Sequence, residues 1–206
     1  MIAIVDYDAG NLHSVGKAAE TVGLRAATTA RPEDLEAADA VILPGVGAFG
    51  ACMARLQERG FVGPLRRYLA EDRPFLGICL GLQLLLEHGE EGDGAPGLGF
   101  LPGRVVRLRA PGLKVPQIGW NALRLRRPTP LFAGIPDGTH FYFVHSFHAA
   151  LADPADLVAD VAYGEPVTAA VARGRIHAVQ FHPEKSSAAG LRLLANFGAL
   201  AGGAAA

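Results

Sequence analysis

Pro74-Phe75-Leu76-Gly77-Ile78-Cys79-Leu80-Gly81 decides how this chain is read. Residues 74–78 form a short apolar run that reads as a buried strand, and residues 80–87 read as a helix behind it. A cysteine sits at the junction, with glycine two positions away on either side. That is the pattern of a nucleophile elbow, more often seen with serine. The reason is steric. A sharp strand-to-helix turn strains the nucleophile's backbone, and only small neighbours fit around it. The turn also puts the Cys79 sulfur at a helix N-terminus, where the dipole favours thiolate. The backbone N–H of Leu80 points into the same space and can stabilise an oxyanion. A free cysteine is more commonly a packed core residue. The elbow favours function for Cys79, whereas Cys52 has no catalytic surroundings and reads as packed.

Working outward, residues 2–5 read as a strand, 11–22 as a helix and 24–27 as a second strand. Residues 31–34 open a short helix, 41–43 form a third strand ending at Pro44-Gly45, and 49–70 are helical. This β-α-β-α order argues for a parallel sheet with helices on both faces. In the second half, residues 105–109, 139–144, 157–162, 167–172 and 176–181 read as strands joined by turns, some antiparallel. Ser186 or Ser187 caps a last helix carrying Leu193, Leu194, Phe197 and Leu200. The expected fold is α/β: doubly wound, with a mostly parallel central sheet, flanking helices and some antiparallel strands in the C-terminal half. Residues 89–99 read as a Gly-rich loop, and 202–206 as a frayed tail.

The 206 residues suit one domain, 1–206, at about 150 residues per domain. Hydrophobic residues make up 50%, charged residues 19%, and mean hydropathy is +0.23, which excludes a mainly disordered chain. Lys+Arg 19 against Asp+Glu 20 leaves a net charge of -1, with no basic excess to neutralise a phosphate backbone, so no nucleic-acid partner is expected. The longest apolar stretch, 74–86, is interrupted by Gln83 and is shorter than the ~18 residues of a membrane span, so no membrane partner is expected. Two cysteines make no disulfide framework or structural zinc set, and no His-Glu-x-x-His spacing occurs, so no metal or cofactor is expected. The N-terminus has no basic leader pattern. A reduced, cytoplasmic setting follows.

A thiol needs a base or a cationic neighbour to ionise at neutral pH. Of the seven histidines, His182 stands out in Gln180-Phe181-His182-Pro183-Glu184-Lys185, just after a buried strand. Glu184 can accept a hydrogen bond from one ring nitrogen while the other is aimed at Cys79, and Pro183 stiffens the link. By itself a strand-end His with a solvated Glu is ordinary. Paired with a cysteine elbow on the same sheet, it becomes a Cys-His-Glu candidate. His140, His145, His148 and His177 read as packed or surface positions in or beside strands, and His13 and His88 as helix residues. Pro44-Gly45-Val46-Gly47-Ala48-Phe49-Gly50 follows the third strand. No Gly-Lys-Ser/Thr follows to make a phosphate cradle. A second oxyanion donor from this loop is the better reading, with a plain tight turn as the alternative.

Residues 78–83 (Ile-Cys-Leu-Gly-Leu-Gln), 180–186 (Gln-Phe-His-Pro-Glu-Lys-Ser) and 44–49 together resemble the class I, triad-type glutamine amidotransferases. Three stretches narrow the resemblance: Gly10-Asn11-Leu12-His13-Ser14-Val15, Pro116-Gln117-Ile118-Gly119-Trp120-Asn121 and Tyr142-Phe143-Val144-His145-Ser146-Phe147. The set is similar to the glutaminase subunits of imidazole glycerol phosphate synthase, from residue 6 to residue 186. The resemblance implies that Cys79 attacks the carboxamide of L-glutamine, with His182 as base and then acid and Glu184 orienting it. A glutamyl thioester forms and water releases glutamate. The N–H of Leu80 and one from Val46-Gly47 form the oxyanion hole. Gly47, Gln83, Ser146 and Phe147 match positions that hold glutamine. Ammonia passes to a barrel-shaped cyclase subunit in a heterodimer, yielding imidazole glycerol phosphate and an aminoimidazole carboxamide ribotide in histidine biosynthesis. Asn11, Trp120, Tyr142 and Lys185 match positions at or near that interface. The chain departs from the usual pattern at Leu82, Gln117 and Phe147, none a triad position. The elbow and His-Pro-Glu also fit amidotransferases of anthranilate, guanylate or carbamoyl phosphate synthesis. The other motifs do not fit those, and an intact triad argues against a non-catalytic binding module.

Overall fold

A computed structural model describes residues 1–202, so the expectation for the tail falls, beyond Gly202, outside the described residues. In chain order the elements are β1 (Ile2–Val5), α1 (Leu12–Thr21), β2 (Ala26–Thr29), α2 (Asp34–Ala37), β3 (Ala40–Gly45), α3 (Phe49–Glu58), α4 (Val62–Ala70), β4 (Phe75–Cys79) and α5 (Leu80–Gln83). Then come β5 (Leu86–Gly89), β6 (Ala95–Pro96), β7 (Leu101–Arg107), β8 (Gln117–Ala122), β9 (Arg124–Leu125), β10 (His140–His145) and β11 (Phe147–Leu151). The chain ends with β12 (Leu157–Tyr163), β13 (Glu165–Arg173), β14 (Ile176–Val179) and α6 (Ser187–Leu200).

The main sheet runs β2-β1-β3-β4-β14-β13-β12-β9. Its first five strands are parallel, and β13, β12 and β9 are antiparallel additions. Successive strand residues point to opposite faces, which divides the core in two. Ala3, Val5, Val41 and Leu43 pack with Phe49, Leu56, Leu65 and Tyr68 of α3 and α4. Ile2, Ile4, Ala40 and Ile42 pack with Val15 of α1 and Leu193, Leu194 and Phe197 of α6. Apolar residues at every strand position therefore require helices on both faces, which is the doubly wound arrangement expected from the sequence.

Several boundaries differ from the sequence reading. The second strand begins at Ala26 rather than at residue 24. The helical span 49–70 breaks into α3 and α4 around Gly60, whose φ is +75°. The helix expected over 80–87 ends at Gln83. The carbonyls of Leu84, Leu85 and Leu86 are instead taken by the N–H groups of Leu98, Phe100 and Gly99, so this segment leaves the helix and enters a second, four-stranded sheet. His88, expected on a helix, lies in β5, and the Gly-rich loop contains β6. The strands β8 and β11 escape the sequence reading. Gln117, Gly119 and Asn121 hide the strand pattern of β8, which pairs with β10 in a two-stranded ribbon. Ser186 stands at the start of α6 but makes no cap bond to it. Its hydroxyl is used on the loop before the helix, with consequences for the site.

Candidate active site

The parallel register brings the site together. In β3 and β4, Gly45 pairs with Cys79, and in β14 and β4, Val179 pairs with Ile78. The Pro44–Gly50 loop therefore emerges on one side of Cys79 and the His182 loop on the other, at the carboxyl ends of the strands, where open α/β sheets place ligands.

Cys79 adopts φ 56°, ψ −107°, a left-handed conformation uncommon for a residue with a side chain. Its glycine neighbours are needed for packing. A Cβ on Gly81 would sit 1.9 Å from the Leu43 carbonyl oxygen, and one on Gly77 would sit 2.6 Å from the Gly81 carbonyl oxygen. The elbow inferred from the sequence is thus present in geometry. Its helix α5 is a single turn of four residues, so the expected dipole support shrinks to the N–H groups of that turn.

His182 is 2% exposed. Its Nδ1 lies 2.8 Å from Glu184 Oε1, and the carboxylate is sealed from solvent. Its Nε2 has no hydrogen-bond partner. The sulfur of Cys79 lies close enough to that ring to act on its charge. Burial alone pulls the imidazole pKa down. The Cys79 sulfur and the Glu184 carboxylate outweigh burial and raise it to about 9. The His182 ring is therefore charged at neutral pH.

The His-Pro-Glu loop is clamped by its neighbours. Ser186 Oγ donates to the His182 carbonyl at 2.6 Å and accepts from the Tyr142 N–H at 3.0 Å. The His182 N–H donates to the Tyr142 carbonyl at 2.9 Å. A Cβ on Gly190 would lie 1.9 Å from the Pro183 carbonyl oxygen, so α6 packs directly on the loop.

Cys79 and His182 open into a cavity of about 290 Å³. Val46, Gly47, Leu80, Gln83, Ser146, Phe147 and Lys185 line it, all residues singled out by the sequence. Gln83 is already engaged. Its Nε2 donates to the Phe147 carbonyl at 2.8 Å and to Gln180 Oε1 at 3.0 Å. A cysteine sulfur, a charged imidazole and a carboxylate beside a cavity of this size equip the site for acyl transfer through a thioester.

The profile described as "Glutamine amidotransferase class-I" matches residues 3–200. The HisH subunit of imidazole glycerol phosphate synthase from Thermosynechococcus vestitus is 54% identical over 202 residues, covering 97% of this chain and 96% of that protein. The chain belongs to the class-I glutamine amidotransferase family.

The HisH subunit from Methylococcus capsulatus is 53% identical over 206 residues, with 95% of this chain and 94% of that protein covered. Among solved structures, a crystal structure of a glutamine amidotransferase superposes with TM-score 0.77 at 24% identity, covering 98% of this chain and all 100% of that one. The structure of PurLQS from Thermotoga maritima gives TM-score 0.76 at 18% identity, covering 95% of this chain and 96% of that chain. At those identities the likeness concerns the amidotransferase fold.

Sequence reasoning missed residues in the amidotransferase cavity and against Cys79. Glu91 lines the cavity and accepts from the Phe49 N–H at 2.7 Å. Nothing in the Gly-rich loop marks Glu91 out, because only the fold of β5 and β6 brings it back to the elbow. His145 lines it too, with Nδ1 2.9 Å from the Phe147 carbonyl. Burial pushes His145 down to about 4, so this ring stays neutral. Gln180 Nε2 donates to Cys79 Sγ at 3.7 Å. Asn11, Trp120 and Tyr142 do not line the cavity. Trp120 is 48% exposed, stands edge-on to Tyr142 at 6.1 Å, and Lys185 Nζ lies 5.9 Å from the centre of the Tyr142 ring. Asn11 starts α1, which packs on the 183–185 turn.

Proposed function

We propose that Cys79, His182 and Glu184 carry out the glutamine hydrolysis of this amidotransferase and that its ammonia goes to a cyclase subunit. The chain is the glutaminase subunit of imidazole glycerol phosphate synthase, an enzyme of histidine biosynthesis. One observation carries the catalytic reading: the sealed 2.8 Å contact between His182 and Glu184 beside a strained cysteine elbow.

The sulfur of Cys79 attacks the carboxamide carbon of glutamine, and the carbonyl oxygen becomes an oxyanion. The N–H of Leu80 and an N–H from Val46-Gly47 stabilise it. The His182 Nε2 proton passes to the departing nitrogen, and ammonia leaves with formation of a glutamyl thioester. His182 Nε2 then takes a proton from water, which attacks the thioester and releases glutamate and the Cys79 thiolate. Gly47, Gln83, Ser146 and Phe147 hold the glutamine. The Glu91 carboxylate in the same wall suits its α-ammonium group.

The exposed Ile118 and Trp120 of β8, with Tyr142, Lys185 and Asn11, form the face that meets the cyclase. Apolar side chains 62% and 48% exposed on one strand face support a partner there. Residues 1–206 act as a single amidotransferase domain. Two free cysteines suit the cytoplasm, and no described helix is long and apolar enough to cross a membrane.

The test is glutamate release from glutamine by the purified chain, alone and with the cyclase subunit and its nucleotide ligand. Strong stimulation by the liganded partner is the expected result. Hydrolysis indifferent to that partner would overturn the interface assignment.

A further inference from the structure

Tyr7 and Cys52 are 0% and 2% exposed, and neither takes part in the chemistry above. They lie beneath the loop that follows β3. The Tyr7 hydroxyl donates to the Pro44 carbonyl at 2.9 Å. The Cys52 thiol donates to the Val46 carbonyl at 3.4 Å. The tyrosine hydroxyl and the sulfur are also neighbours, close enough for each to act on the other's charge. They come from different elements, Tyr7 just beyond β1 and Cys52 from α3. Together they form a small polar cluster in an apolar core, and both of its outward bonds go to alternate carbonyls of Pro44-Gly45-Val46-Gly47.

The peptide unit is planar and trans, so its C=O and N–H point in opposite directions. Holding the Val46 carbonyl against Cys52 turns the Gly47 N–H the other way. Holding the Pro44 carbonyl against Tyr7 does the same for the Gly45 N–H. Gly45 lies opposite Cys79 in the strand register, and Val46 and Gly47 line the cavity with it. Glycine next to a peptide resists its rotation weakly, and Gly47 sits at φ +101°, so side-chain bonds must supply the orientation. The loop is packed hard on this cluster: a Cβ on Gly45 would lie 2.7 Å from Tyr7 Oη and 2.9 Å from Leu80 Cβ.

We propose that Tyr7 and Cys52 are positioning residues that set which way the loop's N–H groups point, and thereby how well they stabilise the oxyanion formed on glutamine. This rests on the proposed role of Val46-Gly47 as oxyanion donor. Burial raises the Tyr7 phenol well above its ordinary range and raises the Cys52 thiol, so both remain protonated donors at neutral pH.

The experiment compares Cys52→Ala, Cys52→Ser and Tyr7→Phe in the full chain with its synthase partner, measuring kcat, KM and melting temperature. A misdirected donor weakens the transition state more than substrate binding. Cys52→Ala and Tyr7→Phe should lower kcat by about 10- to 100-fold with KM changed less than about 3-fold. Cys52→Ser, which keeps a donor, should retain most of the activity. Normal kcat in both Cys52→Ala and Tyr7→Phe would overturn the proposal. So would a kcat loss that follows the melting temperature and is no smaller in Cys52→Ser. Cys79→Ser, assayed alongside, separates the two readings. If it is inactive while Cys52→Ala and Tyr7→Phe are normal, only this inference fails. If it is active, the catalytic reading beneath it fails.

Discussion

Glu184 Oε1 meets His182 Nδ1 at 2.8 Å, with side chains only 1% and 3% exposed. Two residues apart in sequence, His182 precedes and Glu184 lies within a 3₁₀ turn (Pro183–Lys185) that packs against α6. The contact leaves Nε2 as the ring atom free for chemistry.

Cys79→Ser should abolish glutamine hydrolysis and leave partner binding intact, because the swap is nearly isosteric. Glu184→Ala should be less severe than loss of Cys79 or His182, on the order of 10²- to 10⁴-fold in kcat, since an orienting group contributes less than nucleophile or base. Single-turnover glutamate release measures both. A Glu184→Ala loss equal to that of Cys79→Ser would mean the carboxylate does more than orient.

The pH dependence has two limbs of opposite origin. The folded pKa of His182, about 9, lies above the ordinary 6.5, so its stabilisation is fully present below 6.5 and is lost as pH rises through 9. His145 and His177 are both held near 4, mainly by burial. The unfolded chain takes up those protons first, so their contribution is lost as pH falls from 6.5 towards 4. Urea midpoints should therefore be highest near neutrality and decline on both sides. Hydrolysis should decline as pH rises through 9, and Glu184→Gln should shift that limb to lower pH. An alkaline limb unmoved by Glu184→Gln would assign it to another group.

Gly81→Ala should destabilise the chain by about 3 kcal/mol or more, because the added methyl would overlap the Leu43 carbonyl at 1.9 Å and neither is a flexible side-chain end. Gly92→Ala is the comparison, since its Cβ would meet nothing within 4 Å, although its φ of +64° carries a backbone penalty. Thermal unfolding of the pair reads the difference. Equal destabilisation would mean the elbow relaxes at little expense.

Trp120→Ala and Lys185→Ala should weaken cyclase binding and stimulation while leaving the melting temperature near that of the parent, because Trp120 is 48% exposed and the Lys185 ammonium is at the surface. Titration with the cyclase subunit decides it. Unchanged affinity and stimulation in both variants would place the interface elsewhere.

Local chemistry made much of this molecule legible. The apolar runs of β1, β3 and β4 carry large or small apolar residues on both faces, so two helical layers could be read from the chain. The elbow could be read because Gly77 and Gly81 answer a clash within a few residues of Cys79. His182 and Glu184 could be read because their contact spans a single turn. Where the reading failed, the cause was non-local. Residues 84–86 look helical, but their carbonyls are claimed by residues 98–100. Ser186 looks like a cap, but Tyr142 and His182 claim its hydroxyl.

The sequence by itself determined the strand–helix alternation, the cysteine elbow and the pairing of His182 with Glu184, because each depends on residues within one turn or one strand of each other. Only the tertiary structure decided which further residues surround Cys79. Glu91 and His145 reach the cavity and Gln180 reaches the Cys79 sulfur from three separate segments, and Tyr7 and Cys52 reach the loop beneath it from two more. Those meetings are set by sheet register and by the packing of distant elements, which hydrophobic periodicity does not encode.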